Sequence, residues 1–313
     1  MQIKVPRPSL CLIAAAICLT IGGRANAQVE LYGIDVGSPT LGRISMSDAS
    51  TLSTVTLTLD GFTVNGGTGL AFDPTTGTLW AALKLSGQSG RQLATVNYAT
   101  GVVTSVGDTG LSVAGITFGS DGTLYAITGD GQSTNAESNI YPESLYRLDK
   151  STAAPSFLRQ MGNGDDGEAI AFNPLDGFLY HASGHSGVFD IETGDGIVLE
   201  KLDLESMTLS DIPIPETSPL IDEEAQALVY YYGGNFFIWK QYHSSGPLFQ
   251  VSPLTGEATL IGDTDTQWKG LAILEPFVVI PEPSVASLLG LGAGSLLLRH
   301  IVKRRASRKS RAA

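Results

Sequence analysis

Outside its first 27 residues this sequence has no cysteine. Cys11 and Cys18 are the two cysteines of the chain, and both lie in an apolar N-terminal stretch. Because we predict below that this stretch is removed, the remaining chain has no disulfide and no thiolate for nucleophilic or metal chemistry. Its stability must come from apolar burial and strand pairing.

Basic residues are scarce in the body of the chain. Three of the 19 Lys and Arg lie in residues 1–27 and seven lie between Arg299 and Arg311, so nine remain in residues 28–283. The same region holds all 31 acidic residues, which gives it a net charge of −22. Phosphate binding depends on basic side chains, so nucleic acid is excluded as a partner. Cations, sugars and basic surfaces suit this charge better.

The N-terminus has the pattern of an export signal. Basic Lys4 and Arg7 precede an apolar run from Leu10 to Ile21, and Ala25-Asn26-Ala27 has the small-x-small spacing of a signal peptidase site. We therefore predict a signal helix in residues 1–27, cleavage after Ala27, and Gln28 as the mature N-terminus. The alternative, a retained membrane anchor, needs a longer apolar run.

One pattern recurs along most of the remaining chain. Gly69 to Ala81 combines a small residue, an alternating apolar run, a turn, and a second run that ends in Leu followed by an aromatic residue. Copies occur at Gly115–Ala126 and Ala169–Ala182, a looser one at Ala227–Trp239, and a truncated one at Gly270–Leu274. The small residues suit strands that crowd a central axis.

A third segment of the repeat reads Leu-x-x-apolar followed by Asp, Asn or Ser. Its copies are spaced by 52, 52, 54 and 49 residues and are Leu41–Ser45, Leu93–Asn97, Leu145–Asp149, Leu199–Asp203 and Leu248–Ser252. Units of about 40–50 residues with four short strands each are typical of propeller blades. One aromatic residue on each second strand is predicted to fill the space between neighbouring sheets: Tyr32, Trp80, Tyr125, Tyr180 and Phe237.

The number of strands predicts how the fold closes. The N-terminal unit, Glu30 to Asp60, has second, third and fourth strands, whereas the last unit, Gly270 to Leu274, has only a first strand. Joining them completes a fifth blade and removes the open sheet edge. We predict an all-β fold, a five-bladed β-propeller over residues 28–275 that is closed by strands from both termini.

The repeats resemble those of exported bacterial β-propellers with degenerate GLAFDPTTGTLYA and LYxIDxxTG motifs, and the resemblance covers about residues 29–274. It implies the fold. It does not imply one activity, because propellers support many unrelated functions.

The C-terminal region has three parts in a fixed order. A linker over residues 276–283 contains Pro281-Glu282-Pro283, residues 284–302 are predicted to form a short membrane helix, and residues 303–313 form a basic cytoplasmic tail. This order is similar to the PEP-CTERM sorting signal that exosortases of Gram-negative bacteria recognise. The resemblance implies an exosortase-like processing enzyme, a membrane-anchored precursor, and transfer to the cell surface or an exopolysaccharide matrix. The alternative is an ordinary tail anchor.

Ligands of propellers usually bind on the face where the first strands begin. The residues that we expect just before the first strands are Thr68, Ala114, Glu168, Gln226 and Lys269. Nearby on the same face we expect Glu224, Trp268 and two loop histidines, His185 and His243. The predicted ligand-binding set is therefore Glu168, His185, Gln226, His243, Trp268 and Lys269.

Metal and catalytic chemistry have weaker support. His181 aligns with Ala81 and Ala126, which predicts a buried, hydrogen-bonded imidazole rather than a metal ligand. Acidic clusters leave calcium open as a cofactor, although none has the spacing of an EF-hand: Asp165, Asp166 and Glu168, or Asp263 and Asp265.

The sequence favours an exported binding or structural module whose partner is an extracellular polysaccharide or a surface protein. The alternative is a secreted carbohydrate-active or lactone hydrolase at the channel mouth, with Glu168 and Glu224 as its carboxylates. No P-loop, dinucleotide fingerprint or Ser-His-Asp order is present.

Overall fold

A computed structural model describes residues 29–161, 166–184, 197–215, 217–220, 225–231, 233–241 and 246–274. The predicted signal helix with Ala25 and Ala27, the Pro281–Pro283 motif and the predicted membrane helix lie outside these ranges, as do Asp165, His185, Glu224 and His243. A 3₁₀ turn, Ala136–Ser138, is the only helical element in the described part. No helix there has the length and apolarity needed to cross a membrane.

Short antiparallel strands account for the described fold. Strands β1 to β10 are Glu30–Asp35, Thr40–Ile44, Thr51–Thr56, Val64–Asp73, Thr78–Leu85, Gln92–Val96, Val103–Asp108, Val113–Phe118, Leu124–Thr128 and Ser144–Leu148. Strands β11 to β20 are Pro155–Gln160, Asp166–Phe172, Leu179–Gly184, Ile197–Asp203, Thr208–Asp211, Ala225–Tyr231, Phe236–Gln241, Pro247–Val251, Ala258–Asp263 and Trp268–Leu274.

These strands form five four-stranded sheets, so the predicted five-bladed β-propeller is confirmed. Blade 1 has the order β20-β1-β2-β3, and blades 2 to 5 are β4–β7, β8–β11, β12–β15 and β16–β19. Each first strand contacts the first strands of both neighbouring blades, and β20 contacts β4. The first strands therefore surround a central axis.

Blade 1 is completed from both ends of the described chain, as predicted. β20 pairs with β1 in an antiparallel ladder in which Gly270 is opposite Ile34 and Leu274 is opposite Glu30. The last copy of the repeat therefore supplies the first strand that the N-terminal unit lacks.

The polar residue at the end of each third-strand motif forms the following turn. The Oδ1 atom of Asn97 accepts the amides of Ala99 and Thr100, each at 3.1 Å. Asp149 does the same with Ser151 and Thr152, at 2.8 and 3.0 Å. A short side chain that accepts amides two and three residues ahead stabilises a tight turn, which explains why Asp, Asn or Ser recurs there.

Buried apolar side chains form one cluster between each pair of neighbouring blades. Tyr32, Trp80 and Tyr180 pack in the clusters shared with the next blade, as predicted, and half-buried Tyr125 packs against another. Phe237 differs, since it packs towards the previous blade, with its ring centroid 4.5 Å from that of Tyr180. Our alignment of the fifth copy is off by one residue, because Ile238 takes the equivalent position, and a shift of one residue reverses the face of a strand.

Small residues allow the first strands to approach each other closely. A Cβ atom at Gly270 would lie 2.7 Å from the backbone nitrogen of Leu70 in the next blade. At Gly115, the equivalent residue of β8, a Cβ atom would meet its nearest neighbours at 3.5 Å, which is ordinary contact. Two other blades carry alanine at this position, Ala169 and Ala227.

These contacts predict a different cost for the same glycine-to-alanine substitution at two equivalent positions. Gly270→Ala should lower the free energy of unfolding by about 1–3 kcal/mol, because the methyl group overpacks against neighbouring backbone. Gly115→Ala should change it by less than about 0.5 kcal/mol, since the methyl group fits. Urea unfolding of both variants measures this difference, and equal losses would contradict close approach at the axis.

Candidate functional site

The five residues that we expected just before the first strands lie within those strands. In every blade, the ladder between first and second strands has an irregularity next to the small residue of the repeat. The residues at these bulges are Thr68, Ala114, Glu168, Gln226 and Lys269. Our strand boundaries were wrong because a bulge adds an extra residue and the pairing continues beyond it. We call these five residues the bulge ring.

The bulge ring lies at the upper end of the channel, where the first strands begin. Thr68, Glu168 and Gln226 are buried, and Lys269 is half-buried. Gln226 and Lys269 line a small space on the axis of about 10 Å³. One water needs about 10–15 Å³ of such volume, so a larger ligand does not fit between these residues without rearrangement.

Blade 4 contains a buried ionisable network. His181 on β13 has one ring nitrogen, Nδ1, 2.8 Å from Oε1 of Glu200 on β14, and its Nε2 contacts Oε2 of Glu168 on β12. Ser183 donates its hydroxyl to Oε1 of Glu168 at 3.2 Å. None of the three ionisable side chains has exposed surface. His181 is opposite Ile170, which belongs to the cluster shared with blade 3, so the network faces blade 3.

The two carboxylates determine the protonation of His181. Burial alone lowers the pKa of this imidazole, but the charge and hydrogen bond of Glu168, together with those of Glu200, raise it from 6.5 to about 9. His181 is therefore protonated at neutral pH, and each ring nitrogen donates to one carboxylate. The predicted buried, hydrogen-bonded role of His181 is confirmed.

Two other residues singled out from the sequence, Trp268 and Asp265, lie outside the His181 network. Trp268 has no exposed surface, and its indole occupies the space left by Gly33 and Gly42 in the core of blade 1. Exposed Asp265 accepts the hydroxyl of Thr51 at 2.8 Å. Within the described ranges, no group of three or more His, Asp or Glu side chains is arranged to hold a metal ion. Our sequence reasoning missed Glu200 and Ser183.

A cavity opens at the lower end of the channel, where the first strands end. Its volume is about 330 Å³, and all five blades contribute to its wall. The large apolar lining residues are mostly at the first and third positions after the small residue of each repeat: Leu70, Phe72, Ile116, Phe118, Phe172, Leu228, Tyr230, Leu271 and Ile273. Second-position residues and turn residues also contribute: Ala71, Thr117, Val229, Ala272, Pro74, Ser120 and Pro174. We call this space the lower cavity. It is mostly apolar and lies at the opposite end of the first strands from Glu168, Gln226 and Lys269.

Polar contacts between blades fix the wall of the lower cavity. The amide of Phe172 donates to the Oγ1 atom of Thr117 at 3.1 Å, which joins blades 4 and 3. The Nζ atom of Lys150 lies 2.9 Å from Oδ2 of Asp73 and 5.4 Å from the centroid of the Phe118 ring. These contacts join blade 3 to blades 4 and 2 at the level where the cavity opens.

Comparisons with known proteins support the fold only. No family profile matches the sequence, and no curated protein matches it significantly. A chain in the crystal structure of a nidogen/laminin complex is similar, with a TM-score of 0.50 and 12% identity over 79% of this chain and 99% of that chain. A protein of unknown function from Bacteroides caccae has a TM-score of 0.48 and 10% identity over 79% and 99% of the two chains.

The His181 network predicts a specific dependence on pH. The folded state binds a proton to His181 more tightly than the unfolded state does, so this stabilisation is complete below pH 6.5 and is lost as pH rises through about 9. We expect a loss of about 3 kcal/mol over this range. The direct measurement is an NMR titration of the imidazole.

Two variants provide the comparison. Glu200→Gln removes one negative charge, so the titration midpoint of His181 should fall. Ser183→Ala removes a hydroxyl but no charge, so the midpoint should stay near that of the parent protein. A parent midpoint at or below 6.5 would show that the carboxylates do not control this proton.

Proposed function

We propose that this protein is an exported β-propeller that acts as a binding or structural module at the cell surface. The observation that supports this best is the closed ring of five blades, which forms a rigid body with an apolar cavity at one end of its channel. Apolar cavities near this size are common ligand sites. The acidic body favours partners such as surface polysaccharides or basic protein surfaces over nucleic acid.

Glu168 is better suited to a structural role than to hydrolysis. Its carboxylate has no exposed surface and already accepts hydrogen bonds from His181 and Ser183. A general acid must reach the leaving oxygen of its substrate, and this carboxylate is enclosed by its own blade and the cluster shared with blade 3. This burial supports a module that binds without turnover.

Export and sorting are part of the same proposal and depend on the sequence patterns. Residues 1–27 direct export, and Pro281-Glu282-Pro283 with the apolar segment after it directs an exosortase-like enzyme to remove the tail. Leu274 is opposite Glu30 in the ladder, so both ends of the described chain leave the ring at its lower face. A precursor held by residues 284–302 would therefore present this face towards the membrane.

Processing predicts the loss of a C-terminal epitope. With a tag after Ala313, surface-exposed protein should begin at Gln28 and lack the tag, as read by N-terminal sequencing and immunoblotting. Glu282→Gln should leave the tag attached because it alters the sorting motif. Glu275→Gln, which alters a glutamate outside the motif, should be processed normally. A tag that persists on surface-exposed protein contradicts processing.

Binding without turnover is a separate prediction. The purified protein should bind extracellular polysaccharide on a glycan array and release no product from glycoside or lactone substrates. Turnover that is lost in Glu168→Gln and kept in Glu257→Gln, a change at an exposed glutamate, would instead favour the hydrolase.

A further inference from the structure

The last described strand ends beside the lower cavity. Ile273 lines the cavity, and Leu274 is the last residue of β20. The sequence continues as Glu275-Pro276-Phe277-Val278-Val279-Ile280-Pro281, with four consecutive apolar residues between two prolines. We propose that Phe277–Ile280 docks in the lower cavity of its own chain. This inference goes beyond the proposed function, holds whether or not the tail is removed, and means that an external ligand of the lower cavity must displace this segment.

The connection is long enough for docking and short enough to favour it. Phe277 is four residues beyond Ile273, and an extended chain advances about 3.3 Å per residue, so its side chain can reach roughly 13 Å from the cavity wall. A short tether also gives the segment a millimolar effective concentration at the cavity. Neither a free lipid nor a separate protein has this advantage.

The chemistry of the segment matches that of the wall. Phe72, Phe118, Phe172 and Ile273 line the cavity, and none of its described lining residues is charged. The segment has no charge between Pro276 and Pro281. Transfer of one large apolar side chain from water into such a site shifts an equilibrium by roughly tenfold to hundredfold.

The flanking prolines favour an extended approach. Glu275 precedes Pro276 and Ile280 precedes Pro281, and residues before proline disfavour helical backbone. To dock, the chain must turn back across the lower face after Leu274, and an extended segment would then present alternate side chains towards the axis. Docking would also hold Pro281–Pro283 close to the lower face.

Thiol alkylation tests docking in the full-length chain. In lipid nanodiscs, with Cys11 and Cys18 replaced by alanine, Val278→Cys should react with a maleimide at least tenfold more slowly than the tail variant Ser307→Cys. Docking protects the first thiol from the reagent, whereas the tail remains in water. Equal rates would overturn the proposal.

Variants that fill the cavity show whether docking, rather than another contact, protects the thiol from alkylation. Val229→Phe enlarges a half-buried side chain of the cavity wall, and Ser120→Trp enlarges an exposed one at its rim. Either change should displace the segment and raise the alkylation rate of Val278→Cys towards that of Ser307→Cys, in protein with an unchanged melting temperature. If the thiol stays protected in both folded variants, the protection arises elsewhere and the proposal is wrong.

Disulfide formation provides a second measurement that does not need cavity filling. Phe277→Cys should couple efficiently with Ser120→Cys, at the rim of the cavity. It should not couple with Asn65→Cys, an exposed residue near the start of β4 and roughly 25 Å from the lower end of that strand. Coupling to neither position, or equally to both, would contradict a docked segment.

Discussion

The pairing of β20 with β1 is the constraint on which the rest of the structure depends. It joins residues as distant in sequence as Glu30 and Leu274. It also places β20, the first strand of blade 1, between β4 and β16 at the axis. Every blade then packs on two neighbours, so each of the five apolar clusters is enclosed on both sides. Such distant contacts carry a larger cost in chain entropy than the local pairs within the other blades, so the closure of blade 1 is the most costly pairing of the ring.

The interface between blades 3 and 4 combines this apolar packing with a buried charge network. Glu168, His181 and Glu200 satisfy each other only when β12, β13 and β14 are paired in the observed register. A shift of one residue would turn a charged side chain away from its partners, at a large cost in desolvation. The network therefore favours one register in a blade whose remaining contacts are mostly apolar.

The two ends of the channel have different chemistry because they are lined by different segments of the same first strands. At the upper end, bulges place polar residues such as Gln226 and Lys269 around a space of about one water. At the lower end, the same strands alternate large apolar side chains, and the ring widens into a cavity of about 330 Å³. Sites for polar and apolar groups are thereby separated along the axis.

The sequence by itself determined the blades, their number and their closure. These features follow from local rules, because strand periodicity, the turn acceptors Asn97 and Asp149, and the single first strand at Gly270 are all visible in neighbouring residues. The tertiary structure decided which side chains meet. Glu200 lies 19 residues from His181, and only the strand register makes them neighbours. Likewise, Phe72, Phe118 and Phe172 look like ordinary core residues in the sequence. Whether apolar side chains fill a space or surround one depends on how closely five sheets approach the axis, and no local pattern contains that distance.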